Sequence, residues 1–146
     1  MQEFSGIRIT ETALMHESEQ VRANLGELHR HNIGVTIDDF GAGAAAFDYL
    51  RQLSVDSVKI DGAIVRDIQT DQRSKAMLHS IVEMCRSMKL ETIAEMIETD
   101  GVATELKAAG VDYGQGWLFG RAEAEPRTQL SNPSLVRRKG AVEAWG

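Results

Sequence analysis

The chain has 146 residues, 42% hydrophobic and only 5% aromatic, a composition that suits one globular domain or part of one. Asp and Glu outnumber Lys and Arg 22 to 16, and the formal charge of −6 argues against general nucleic-acid binding. A lone cysteine, Cys85, excludes an intrachain disulfide framework, and no apolar run reaches the roughly 20 residues of a membrane span.

Met1 to Gly6 lack the apolar centre of a signal peptide, so the expected location is the cytoplasm. Ile7 to Ile9 is a short strand candidate with Arg8 between two isoleucines. Glu11 to about Arg30 reads as helix, because Leu14, Val21, Leu25 and Leu28 fall on one stripe, and Asn32 and Gly34 then stop it. Val35-Thr36-Ile37 is β-forming and runs into Asp38-Asp39, then into the glycine-punctuated Phe40-Gly41-Ala42-Gly43. Two adjacent carboxylates at a strand end repel each other unless a cation sits between them. A divalent metal or a basic side chain is their natural partner, although a turn or helix cap places aspartates in the same way.

Ala44 to Leu53 reads as a short helix carrying Phe47, Leu50 and Leu53, and Ser57 to Ile60 as a strand ending in Lys59-Ile60-Asp61. Thr70 or Asp71 caps a helix to about Lys89, with Met77, Leu78, Ile81, Val82, Cys85 and Met88 on one broad face. That placement makes Cys85 a small core residue. Glu91 to Ala94 is a strand ending in Glu95. Thr99 caps a further helix through Val102, Leu106 and Ala109, closed by Gly110. Val111 to Gly116 and Trp117-Leu118-Phe119 complete the ordered part, residues 1–120. Residues 121–146, with Pro126, Pro133 and the basic run Arg137-Arg138-Lys139, read as a polar, flexible tail. His29 and His31 fall at a helix end, where a cation suits the dipole, and the four histidines (with His16 and His79) assemble no metal set.

Strand–helix alternation at this pitch indicates an α/β fold with a parallel sheet. Asp38 and Asp39, Lys59 (with Asp61), Glu95 (with Glu98) and Gln115 all fall at strand C-terminal ends, which such a layer gathers on one rim.

The series Ile9-Thr10-Glu11, Asp38-Asp39-Phe40-Gly41, Lys59-Ile60-Asp61, Ala94-Glu95-Met96-Ile97-Glu98-Thr99 and Gln115-Gly116-Trp117-Leu118-Phe119-Gly120 resembles the EAL family over roughly residues 5 to 120. Those domains are bacterial phosphodiesterases that hydrolyse cyclic di-GMP to linear pGpG. The resemblance implies the C-terminal portion of a TIM-like (β/α) barrel, about five βα units without the N-terminal strands. It also implies two-metal hydrolysis with Mg²⁺ or Mn²⁺. In that scheme Asp38 bridges the metals, Asp39 and Glu95 hold the second one, and Lys59 orients the attacking water. Glu98 and Gln115 surround the site or substrate, and Glu11 braces the loop after the paired aspartates.

The sequence also departs from the family. The Glu-Ala-Leu segment and the asparagine ligand of the N-terminal half are absent from this chain, and Arg8 stands where the strand glutamate of the first metal falls. Ala42-Gly43-Ala44-Ala45-Ala46 replaces the usual Thr-Gly-Tyr-Ser-Ser, and Met96 replaces a glycine. The expectation is therefore a degenerate EAL-like domain in cyclic di-GMP signalling, regulatory or nucleotide- or protein-binding rather than catalytic. Arg8 is expected to replace the first metal as the positive partner of Asp38, and any cofactor to be Mg²⁺ or Mn²⁺ at the second-metal set, if there is one at all. One alternative is a phosphodiesterase whose N-terminal half lies elsewhere, and another is a dimerisation module without ligand. Five strand candidates cannot close an eight-stranded barrel. Two edges and one apolar sheet face are expected to stay open, inviting a homodimer or a partner protein that completes the barrel.

Overall fold

A computed structural model describes residues 6–10, 19–43, 46–119 and 143–144. Five parallel strands alternate with helices in chain order: β1 (Gly6–Thr10), α1 (Glu19–Arg30), β2 (Gly34–Phe40), α2 (Ala46–Gln52), β3 (Ser57–Ile60), α3 (Gly62–Asp67), α4 (Gln72–Ser87), β4 (Glu91–Ala94), α5 (Asp100–Ala109) and β5 (Tyr113–Gly114). A single turn of 3₁₀ helix, Trp117–Phe119, follows β5. Sheet order equals chain order, as right-handed βα crossovers produce, and β1 lies at one edge. β6 (Glu143–Ala144), within the stretch expected to be a flexible tail, pairs antiparallel with β5 through Tyr113 and Ala144. The rest of that tail, Glu11, and the proposed first turns of the Glu11–Arg30 helix lie outside the described residues.

The period of two along each strand sorts the side chains. Ile9, Val35, Ile37, Val58, Ile60 and Ala94 point to one face, where Leu25, Ile64, Val65, Leu78, Ile81, Val82, Cys85, Val102 and Leu106 of the helices cover them in one buried cluster. Burial pushes the Cys85 thiol up to about 12, with the charge of Asp112 adding to it, so this thiol is a core group rather than a nucleophile.

The opposite face differs from expectation. In register it carries Arg8, Thr10, Thr36, Asp38, Ser57, Lys59, Glu91 and Tyr113, with Ile93 the apolar exception, so the face turned away from the helices is polar. Thr36 and Ser57 are buried there and share a hydroxyl hydrogen bond of 2.6 Å, while Tyr113 Oη donates to Glu91 at 3.2 Å.

Helix ends follow their sequence signals. Asp71 caps α4 by accepting from the Arg73 and Ser74 amides, and Thr99 caps α5 by accepting from Val102. Gly110 closes α5 at φ +87°, in the left-handed region that favours glycine. The short helix α3 is not anticipated by the sequence reading. Its start is Asp61, whose carboxylate accepts from the Ala63 amide at 2.6 Å, and its apolar residues Ile64 and Val65 are buried.

Candidate functional site

The parallel sheet brings the C-terminal ends of β2, β3 and β4 side by side, and three of the expected residues meet there. Lys59 Nζ lies 2.6 Å from Glu95 Oε2 and 3.6 Å from Asp38 Oδ1. The lysine side chain is 9% exposed and the two carboxylates 18% and 19%, so all three charges are largely withdrawn from water. An ammonium in that position is tolerable only because carboxylates face it, and the carboxylates only because it faces them.

Local backbone geometry explains why Asp38 reaches this site and Asp39 does not. Between the pairs Ile37–Val58 and Phe40–Ile60, β2 carries one residue more than β3, a β-bulge. Strict alternation would bury Asp39 beside Ile37 and turn Phe40 outward. Asp39 instead takes a left-handed backbone, φ +55°, which aspartate tolerates better than most residues. Phe40 returns to the core, fully buried, and packs edge-on against Phe47 with ring centroids 5.3 Å apart. Asp39 is left exposed, its amide donating to Asp38 Oδ1 at 3.1 Å.

Arg8 does not take the place expected of it. In register it stands level with Thr36, and it is Thr10 that pairs with Asp38. Arg8 is exposed, no ion pair joins it to Asp38, and the cation at Asp38 is Lys59. Asp61, expected on the rim beside Lys59, spends its carboxylate on capping α3.

Backbone contacts brace the Glu95 side. The Gln115 amide donates to Ala94 O at 2.8 Å, the Ile97 amide donates to Gln115 O at 3.2 Å, and the Leu118 amide donates to Ile97 O at 3.0 Å. A Cβ at Gly116 would strike Ile97 N and O, so only glycine allows the two loops to lie this close. Glu98 is exposed and lies outside this contact set. Met96, where the family carries glycine, holds φ +58° and is 50% exposed, with its Sδ lying where a Cβ on Gly62 would be. The left-handed backbone costs a non-glycine residue about 1–2 kcal/mol.

Residue types here are hard oxygen donors, which suit Mg²⁺ or Mn²⁺. Among the described residues no three His, Cys, Asp or Glu side chains are gathered closely enough to hold a metal ion. Asp39 faces water, and a lysine ammonium stands between Asp38 and Glu95.

Other polar groups lie at the far end of the sheet. His29 Nε2 is 3.0 Å from Asp56 Oδ2, which also accepts from the Val35 amide at 2.7 Å. These contacts tie α1 to the starts of β2 and β3. A cavity of about 190 Å³ lined by Val82, Arg86, Lys89, Leu90, Glu91, Gly110 and Asp112 lies by the starts of β4 and β5. It is away from the rim and small for a ligand pocket.

A family model described as EAL domain matches residues 5–122. The chain is 36% identical over 115 residues to the cyclic di-GMP phosphodiesterase PdeB of Shewanella oneidensis, covering 79% of this chain and 13% of that protein. Its fold matches the PaMucR phosphodiesterase in a c-di-GMP complex with a TM-score of 0.71 and 31% identity, over 78% of this chain and 46% of that one. It also matches the manganese/cy-diGMP complex of Klebsiella pneumoniae BlrP1, with a TM-score of 0.72 and 33% identity, over 77% of this chain and 29% of that one. The chain thus spans less than half the length of each of these three proteins.

Proposed function

The chain belongs to the EAL domain family, and from that premise we propose that it serves cyclic di-GMP signalling as a regulatory, nucleotide- or protein-binding segment rather than as a phosphodiesterase by itself. The observation that carries this reading is that the rim gathers only two of the three expected second-metal carboxylates, Asp38 and Glu95, around Lys59. Two-metal hydrolysis needs ions that stabilise both the attacking and the leaving oxygen. Here Arg8 stands at the family's first-metal strand position, and Asp39, a second-metal residue by the same match, faces water.

The chain's own groups can still recognise a phosphate. Lys59 offers three donors, of which the two carboxylates do not use all, leaving one for a phosphate oxygen. Incubating the full chain with cyclic di-GMP and Mg²⁺ or Mn²⁺, and separating nucleotides by chromatography, tests the proposal. No linear pGpG above the protein-free control is expected. Product that scales with protein concentration would overturn it.

The edge strand favours an association reading alongside this one. β1 is the end strand of the sheet order, and an end strand is a template for another strand. A second copy, or a complementary part of an EAL domain, would satisfy it. Light scattering after size exclusion is expected to give about twice the 16.1 kDa chain mass, and a stable monomer at micromolar concentration would refute self-pairing.

A further inference from the structure

The parallel sheet finishes differently on its two sides. β1 is the end strand on one side, whereas β5 is followed by β6, an antiparallel segment from further along the same chain. The register sets Gly114 level with Glu143 and Tyr113 level with Ala144. The Gln115 amide donates to Ala94 O and so points to β4. Backbone amides alternate in direction along a strand, which turns the amide and carbonyl of Gly114 away from β4 and toward Glu143. Gly114 is buried, although it belongs to the last strand of the parallel set.

An uncovered β5 would present those backbone groups as a template for a strand of another chain. Pairing of β5 with the β1 of a second copy is a heterologous contact, since each copy still has a β1 or a β5 to offer to the next. Such stacking runs on into open arrays. Pairing of β1 with β1 is isologous and stops at two copies. Glu143 lies about 30 residues beyond Gly114 on the same chain, a tether that gives an effective concentration in the millimolar range. A second copy at micromolar concentration is outcompeted for that edge by about a thousandfold.

We propose that the β5 edge is a strand-docking site whose occupant is the chain's own segment Glu143–Ala144. This occupancy bars a second copy from β5, so that copies join through β1 alone. The inference rests on the reading of β1 as a pairing edge, yet the two fail separately. The mass of the native chain reports on β1, and the difference between native and variant reports on β5.

The test replaces Glu143 in the full chain and follows mass by light scattering as the protein is concentrated through the micromolar range. Glu143→Pro removes the amide that faces Gly114. The native chain is expected to hold about twice its chain mass throughout, and Glu143→Pro to climb by about a further twofold or more. Glu143→Thr, which also removes the charge but keeps the amide, is expected to match the native chain. Glu143→Pro with the native mass at every concentration overturns the proposal, and so does a Glu143→Thr that climbs with it. A native monomer sinks self-pairing through β1, while a climb in Glu143→Pro alone still upholds the occupancy of β5. Hydrogen exchange in the native chain gives a second reading, independent of whether Glu143→Pro folds. The Gly114 amide is expected to exchange at least about tenfold more slowly than that of the exposed Gly43, and equal exchange overturns the proposal.

Discussion

Lys59→Met is expected to lose about 3 kcal/mol of folding stability in urea at neutral pH, the scale on which breaking one side of a buried ion pair operates. Methionine fills much the same volume, so the loss is electrostatic rather than a cavity effect. The variant leaves Asp38 and Glu95, each about four-fifths buried, facing one another without the ammonium that touches both. Adding Glu95→Gln removes one of the two stranded charges and should recover roughly half of the loss. A Lys59→Met protein as stable as the native chain would mean that the three groups are held apart in solution. Since domains of this size have about 5–15 kcal/mol in total, the loss is large enough to read from a single unfolding curve.

Gly116→Ala is the second change with a large expected effect. A single added methyl would overlap both Ile97 N and Ile97 O, which are backbone atoms and cannot swing aside as a side chain would. The contact it breaks is the one that holds the β4 and β5 loops together, through the Ile97 amide donating to Gln115 O and the Leu118 amide donating to Ile97 O. The expected cost is about 3 kcal/mol or more, with Glu95 released from its bracing at the same time. Gly26 supplies the internal control. It lies inside α1 with nothing within 4 Å of a built Cβ, so Gly26→Ala should stabilise by about 0.5–1 kcal/mol. Equal effects at the two glycines would contradict the close approach at Gly116.

The pattern of strands and helices was open to reading because each signal is local. Asp71 and Thr99 cap the helices they precede, and Gly110 closes one. The meeting of Asp38, Lys59 and Glu95 was legible for a related reason, since a parallel sheet carries consecutive strand ends to one rim. Register was not legible. Whether Arg8 stands level with Asp38 or with Thr36 depends on how β1 slides along β2, and a shift of two residues keeps the same face while moving the side chain off the rim. The bulge at Asp39 was hidden for the same reason, because the extra residue shows only against β3. So was the polarity of the face turned from the helices. Thr36, Ser57 and Tyr113 look like ordinary strand residues until register lines them up with Arg8 and Glu91. The short helix α3 escaped because six residues are too few to show a helical period, and its cap, Asp61, carries a carboxylate that suited the rim equally well.

Observation of the Lys59 ammonium itself tests the central claim most directly. In ¹⁵N-labelled full chain, a buried ammonium hydrogen-bonded to Glu95 should give a resonance protected from exchange with water and distinct from the exposed lysines Lys89 and Lys107. The account predicts that this resonance is present and protected. An ammonium that exchanges as fast as those of Lys89 and Lys107 would contradict it.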